Sequence, residues 1–365
     1  MISNYRPSNL IAAIFLLLLF SCSSPAEKPV TAQEAKDFAR ELQSSIQKRN
    51  ADFLDQAIDK KKMMKRAGLN KESDAKAFGS GFSERMNMGT QLIASLSEKG
   101  TYELVKQYEK NKKQYLLFRL YDNGTLNYHD IELVKTGKET KIVDMFIYTS
   151  GELFSETLHS IYTQLKSSFG EEDLDDKWIS QMPKMRKLMN ENKHAEAMDI
   201  YEHLPEKLKK MRALQIMHIM LASGLDDDAK YQDAIDEYTR LYPNEPNMHL
   251  LLIDNYVMKK QYDKALYSVN EMDKMINKDP FLDYYRGLLY KLMEKKDSSK
   301  ASVVQLMNNM PDFEDGMLEL IAVYLDEDNK EEADKWIKKY RRHSSFDQQT
   351  LTSVLMLSGY DESEK

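Results

Sequence analysis

Between Lys177 and Tyr340 one pattern recurs five times: an alanine followed, four positions on, by a bulky apolar or aromatic side chain in all units but one, on a helix that opens after a polar turn. The occurrences are KHAEAMDIY (Ala197, Tyr201), KYQDAIDEY (Ala234, Tyr238), KQYDKALYSV (Ala265, Val269), DSSKASVVQ (Ala301) and NKEEADKWI (Ala333, Ile337). Their intervals of 37, 31, 36 and 32 residues average 34. A unit of that length cannot bury its apolar face alone, and only stacking on its neighbours gives a continuous core. The second half of the chain is therefore expected to be helical hairpins in series. An ordinary helical bundle is the competing reading, because helical periodicity by itself does not separate the two.

The residues inside each unit resemble the tetratricopeptide (TPR) family, which keeps a small Ala where its two helices cross closely and an aromatic one turn later. Ala234 and Tyr238, followed by YPNEP with Pro243 and Pro246, fit best. Leu252 and Tyr256 stand in the first helix of the unit around Ala265, where the family keeps a Leu and a Tyr. The Trp and Gly of the family's first helix are missing, and Gln305 follows Ala301 where an aromatic belongs. The resemblance implies an all-α TPR-like solenoid of about five units over residues 177–345, with a capping helix and tail over 346–365. It also implies a concave groove lined by first-helix residues: Asn247, Leu250 and Asp254, then Asp283, Arg286 and Tyr290. Such a groove suits an extended peptide or a helix of another protein. The carboxylate-clamp pattern is not recognisable, so capture of a free C-terminus is not implied.

The amino terminus has Arg6, an unbroken apolar run from Leu10 to Phe20, and then Ser21-Cys22. That run is too short to cross about 30 Å of hydrocarbon as a helix and reads as a secretory signal over residues 1–21. Leu19-Phe20-Ser21-Cys22 resembles a bacterial lipobox, and Cys22 is the only cysteine in the chain. A lipobox implies cleavage before Cys22 and acylation of its thiol and amine, and several acyl chains on one residue anchor stably where one would not. The alternative is a plain cleaved signal with an incidental cysteine. Residues 22–30 form a polar tether. The chain resembles lipoproteins of the Bacteroidota type, whose surface-exported members often carry an acidic run here; none is present, which points to the outer membrane with the protein facing the periplasm. A lone cysteine permits neither a disulfide framework nor a cysteine metal site within one chain.

Residues 31–168 read as an α+β domain. Thr31-Ala-Gln-Glu34 is a capping box that starts a helix to about Arg49, with Ala35, Phe38, Ala39, Leu42 and Ile46 on its buried stripe. A short helix over Asn50–Ile58 follows. Lys60, Lys61, Lys62, Lys65 and Arg66 then form a basic patch, either a solvated helix end or a contact for anionic lipid. Another helix over 73–98 is expected to bend at Gly79-Ser80-Gly81. From Gly100 the period becomes two, predicting four antiparallel strands: Thr101–Glu109, Gln114–Tyr121, Thr125–Val134 and Lys141–Tyr148. Asp122-Asn123-Gly124 and Lys135–Lys138 supply turns, and Thr149–Glu152 is a second capping box launching a helix to about Ser168. Helices followed by a curved four-stranded sheet and a closing helix resemble the NTF2-like cone folds in element order, which implies a pocket.

Little in the chain suggests turnover. His129, Asp130 and Asp144 are the most tempting cluster, but neighbours on a strand face opposite ways, so His129 and Asp130 cannot enter one pocket and read as surface or edge groups. The seven histidines form no H-E-x-x-H, and Asp226–Asp228 and Asp326–Asp328 lack the glycine and twelfth-position Glu of a calcium loop. No metal, cofactor or catalytic residue is expected. Residues 23–170 carry 23 basic and 20 acidic side chains, and residues 171–365 carry 28 and 39. The acidic repeat half argues against nucleic acid and favours neutral or basic protein segments. Methionines recur at three- and four-residue spacing, among them Met185, Met220, Met272, Met275 and Met307, as repeat core or as an adaptable surface. The function expected is a membrane-anchored scaffold or assembly factor of the cell envelope. The alternative is a ligand- or glycan-binding lipoprotein using a pocket in the front domain.

Overall fold

The computed structural model describes residues 28–122, 124–169, 176–225, 227–243 and 248–360. The signal segment and Cys22 lie outside them, as do Asn123, Asn247 and the last five residues. An antiparallel five-stranded sheet domain comes first, and a long all-helical region follows.

Helix α1 (Ala32–Gln47) opens on its capping box, Thr31 Oγ1 accepting from Glu34 N–H at 3.2 Å and the Glu34 carboxylate accepting from Thr31 N–H at 2.9 Å. The expected stripe from Ala35 to Ile46 is buried. After α2 (Asp52–Ala57) comes α3 (Lys60–Arg66), which carries the basic patch. Much of that patch faces inward. Lys60 donates to the carbonyls of Ser83 and Met86, Lys62 to Lys135 O and Thr136 Oγ1, and Arg66 pairs with Glu132. Lys61 and Lys65 remain exposed, as does Arg66 in part although it is paired, fewer free charges than the cluster of about four or more that lipid recognition uses.

The glycine pair differs from expectation as well. Gly79 and Gly81 lie inside α4 (Ser73–Arg85), and the chain breaks later, at Met86-Asn87, before α5 (Met88–Ala94). Gly79 is a close approach, not a bend: a Cβ there would stand 2.8 Å from the Leu69 carbonyl oxygen.

Strands β1 (Thr101–Lys110), β2 (Lys113–Asp122), β3 (Thr125–Thr136), β4 (Glu139–Ile147) and the two-residue β5 (Glu152–Leu153) form a meander in that order. Asn111 and Lys112, at φ of 53° and 62°, make the first turn with both central residues left-handed, which matches the twist of the strands it joins. Register shifts between Leu104 and Lys106, and between Glu132 and Leu133, mark bulges that curve the sheet. The fifth strand replaces the start of the expected helix. Asp144, within β4, accepts from Ser155 N–H at 3.2 Å at the start of α6 (Phe154–Phe169), a task expected of Thr149. The inner sheet face, including Leu116, Phe118, Ile131 and Met145, packs with α1 to α6 in one core.

The second half pairs α7 (Asp176–Asn190) with α8 (His194–Glu202). After the short α9 (Glu206–Lys209) come α10 (Arg212–Ser223) with α11 (Asp228–Leu241), and α12 (Met248–Met258) with α13 (Tyr262–Met275). Then follow α14 (Leu282–Leu292) with α15 (Lys296–Asn309), α16 (Glu314–Asp326) with α17 (Lys330–Tyr340), and α18 (Gln348–Leu357), which packs on α16. Each pair packs together and then against the next.

Among the described residues, four hairpins turn in the same way. Asn192, Lys260, Glu294 and Asp328 adopt φ between 55° and 59°. The N–H one residue later bonds the carbonyl five residues back: Lys193 to Leu188, Gln261 to Tyr256, Lys295 to Tyr290 and Asn329 to Tyr324, at 2.7–2.8 Å. This satisfies carbonyls that a helix end leaves orphaned. Five residues after each left-handed position stands the small residue of the second helix: Ala197, Ala265, Ser299 and Ala333. In the fourth hairpin, then, the small residue is Ser299, 34 residues after Ala265 and 34 before Ala333; Ala301 is exposed. One turn on, Tyr201, Tyr238, Val269, Val303 and Ile337 are all buried, so Val303 takes the place where Gln305 had seemed anomalous.

Candidate functional site

The outer face of the sheet is where the two halves of the chain meet. Period two puts Tyr115, Leu117, Arg119 and Tyr121 of β2 there, beside Tyr128, Asp130 and Glu132 of β3 and Phe146 of β4. Leu117, Tyr121 and Tyr128 share a core with Leu250, Val269, Ile276 and Phe281 of the third and fourth hairpins. The front domain thus covers part of the helical array.

A buried ion pair closes this contact. Arg119 Nη1 donates to both carboxylate oxygens of Asp279 at 2.8 and 2.9 Å, and Tyr128 Oη donates to Asp279 Oδ2 at 2.9 Å. The side chains of Arg119 and Asp279 are 6% and 1% exposed. The guanidinium lies 4.5 Å from the Phe281 ring centre and also pairs with Glu103. Burial alone would weaken the Arg119 charge, but the carboxylates of Asp279 and Glu103 outweigh it and raise its pKa. Beside the pair, Tyr121 meets the Phe281 and Phe313 rings at 4.7 and 5.9 Å and donates to Asp315 at 2.9 Å. Lys106 donates to the Ile276 carbonyl, and Tyr285 to that of Gly124 at 2.8 Å.

At the opposite end the same face stays open around a cavity of about 350 Å³. Its walls are two aromatic pairs, Tyr108 with Tyr115 (stacked, 5.2 Å) and Phe146 with Tyr148 (edge-on, 5.1 Å). Glu132 in the wall is fully engaged, by Arg66 at 2.8 Å and Lys113 at 2.8 Å, with the Tyr115 hydroxyl bonded to it as well. Asp130 is not. Tyr108 Oη donates to its Oδ2, while Oδ1 is buried and has no partner. Burial pushes the Asp130 carboxyl above its ordinary range, against the Tyr108 hydrogen bond and the nearby charges of Lys106 and Lys110.

His129 faces the other way, as strand alternation requires. Its ring nitrogens meet Tyr102 Oη at 3.1 Å and Asn127 Nδ2 at 3.2 Å, and burial lowers its pKa to about 4. Asp144 departs from the surface reading: it is wholly buried, within 3.5 Å of Arg66. Among the described residues, no group of three or more His, Cys, Asp or Glu is arranged to hold a metal ion.

Of the six groove positions, Asn247 lies outside the described residues. Leu250 is buried against the third hairpin. Asp283 and Arg286 pair with each other at 2.7 Å, and Arg286 also binds Asp273 at 2.8 Å and Asn270 at 3.0 Å. These three therefore serve the fold and do not face a free groove. Tyr290 keeps part of its surface, and Asp254 is exposed. Burial nonetheless raises the Asp254 carboxyl, opposed by a hydrogen bond from Tyr231.

A more open depression of about 440 Å³ lies between α7 and α8, near Lys184, Leu188 and Glu196, with no buried unpartnered atom in its lining. Of the methionines, Met185, Met272 and Met307 are core, while Met220 and Met275 are exposed. Sequence reasoning placed Asp130 and Arg119 on strands, but their different fates depend on residues more than a hundred positions away. Comparison with protein-family models, curated proteins and solved structures gives no match. Among the described residues no helix is long and apolar enough to cross a membrane.

Proposed function

We propose that this chain is a lipid-anchored, non-catalytic interaction protein of the bacterial envelope. Its helical half is a TPR-like solenoid that holds a partner protein, and its front domain, NTF2-like in plan, is clasped to that solenoid as a fixed wall. Supporting the repeat reading is the recurrence in four hairpins of one turn geometry at a fixed distance from one buried small residue. Serial packing of such units leaves an extended concave surface, and the acidic balance of this half suits a neutral or basic segment. With Leu250, Asp283 and Arg286 engaged internally, Asp254 and Tyr290 are the groove positions left to contact it.

Cutting the chain near Phe169 would uncover Tyr121, Phe281 and Phe313 together, so the test uses the intact lipidated chain. Cross-linking in native membranes is expected to join wild type to a defined envelope protein, and Asp254→Lys with Tyr290→Ala to abolish that product at unchanged folding. Retention of the same product by the double variant would show that the solenoid surface is not the recruiter. Cys22→Ala is expected to move the protein from the outer-membrane fraction to the soluble periplasm; unchanged fractionation would rule out the anchor.

A further inference from the structure

The open end of the sheet contains an acceptor that the protein does not use. A buried carboxylate oxygen without a donor is uncommon in folded proteins, because desolvating it without a partner is unfavourable. Asp130 Oδ1 is such an atom, and Asp130 lines a cavity whose walls are otherwise hydrogen-bonded or aromatic. Lys106, a half-buried cation near Asp130, is turned toward the Ile276 carbonyl and over the Tyr108 ring, and Lys110 stands exposed on the rim. Arg66 and Lys113 are held by Glu132.

We propose that this cavity is a binding site for a small organic ammonium ion, which pairs with the Asp130 carboxylate, turning its unpartnered oxygen toward the ligand, and rests its alkyl body on Tyr115, Phe146 and Tyr148. The ring faces carry negative charge density and attract a cation, and the carboxylate supplies its counter-charge in a partly dehydrated setting. Anions are disfavoured by Asp130 and Glu132. A sugar needs donors as well as acceptors, and the wall has few to give: Tyr108 donates to Asp130 and Tyr115 to Glu132. A volume of about 350 Å³ is at the lower end for small-molecule pockets. The site does not depend on the repeat reading, since every wall residue belongs to the front domain.

Titration calorimetry on the intact chain at neutral pH, with butylammonium and cadaverine as probes and glucose as the neutral control, tests this directly. One amine site per chain is expected, with no heat from glucose. Asp130→Asn, a near-isosteric change, is expected to weaken amine binding by roughly tenfold or more through loss of the charged hydrogen bond. Phe146→Leu should weaken it less, and Lys110→Gln should tighten it by removing a like charge from the rim. Asp254→Asn, an acidic change outside the cavity, should have no effect. If glucose binds where the amines do not, if neither amine binds, or if Asp130→Asn binds as tightly as wild type, the proposal is overturned. Circular dichroism of each variant separates loss of binding from loss of fold.

Discussion

The two ends of the outer sheet face follow one strand pattern and are completed differently. At the covered end a charged residue, Arg119, is buried and meets Asp279 from a loop 160 positions away in sequence, with Tyr128 completing the acceptor. At the open end Asp130 is also largely removed from water, yet one of its oxygens has no donor. Tyrosines flank both groups. The comparison teaches that alternation along a strand shows which side chains share a face, whereas the presence of a counter-charge from the other half shows whether the protein itself covers that face. Both oxygens of Asp279 have donors, although Arg119 Nε, like Asp130 Oδ1, has no partner; what sets Asp130 apart is that its unpartnered carboxylate also lines an open cavity, whereas Arg119 is enclosed by the helical half.

The strongest way to break this comparison is at the covered end. Arg119→Ala leaves Asp279 charged, buried and without its counter-charge, and removing one partner of a buried pair costs about 3–5 kcal/mol. Urea unfolding of the single variant should show that loss. Replacing both partners by apolar residues, Arg119→Met with Asp279→Leu, should restore most of it. A loss below about 1 kcal/mol, the worth of an exposed pair, would mean that the clasp does not hold the halves together.

Next in size is the contrast between two tyrosines of one strand. Tyr121→Ala opens a hole among Phe281, Tyr284 and Phe313 and removes the hydroxyl from Asp315, for about 3–5 kcal/mol. Tyr115→Ala removes a ring that is only half-buried, so roughly half that cost or less is expected. Denaturation midpoints of the two variants, measured side by side, decide it. Equal losses would show that the open end is packed as tightly as the covered one and is no cavity in solution.

Much of the front domain was legible because its signals are local. The Thr31 capping box, the stripe from Ala35 to Ile46 and the alternation after Gly100 each act within a few residues, and each appears where expected. The turn positions of the helical hairpins were not legible, since Asn192, Lys260, Glu294 and Asp328 hold a left-handed backbone without a glycine to announce it. Ser299 was missed because the pattern was sought as alanine, although what the crossing requires is a small side chain; Ser299 Oγ bonds the Gly287 carbonyl at 2.9 Å. Gly79 was read as a bend because a glycine in a helix usually signals weakness, and contact with Leu69 cannot be seen from sequence. The pairing of Arg119 with Asp279, and with it the partial closure of the expected groove, is a long-range fact that no local period encodes. The candidate site was legible only to the extent that Asp130 and His129 must diverge.

The smallest expected effect bears most directly on the open end. Burial raises the Asp130 carboxyl above its unfolded value, so the folded state holds this proton more tightly than the unfolded chain does. The contribution of Asp130 is therefore most favourable at acid pH, below its unfolded pKa, and is lost as pH rises through the folded value. Asparagine at this position keeps an acceptor for Tyr108 and carries no charge to desolvate. Asp130→Asn should then match or exceed wild-type stability at neutral pH by up to about 1 kcal/mol, and the difference should shrink or reverse as pH falls through the carboxylate range. Urea midpoints of the two proteins across that range are the measurement. The groups facing Asp130 are Tyr108, Lys106, Lys110 and Glu132; the Tyr108 hydrogen bond and the two lysines favour the charged carboxylate and could together invert the sign. If wild type instead gains on the variant with rising pH, those groups already stabilise the charged Asp130, and the open end is completed by the protein after all.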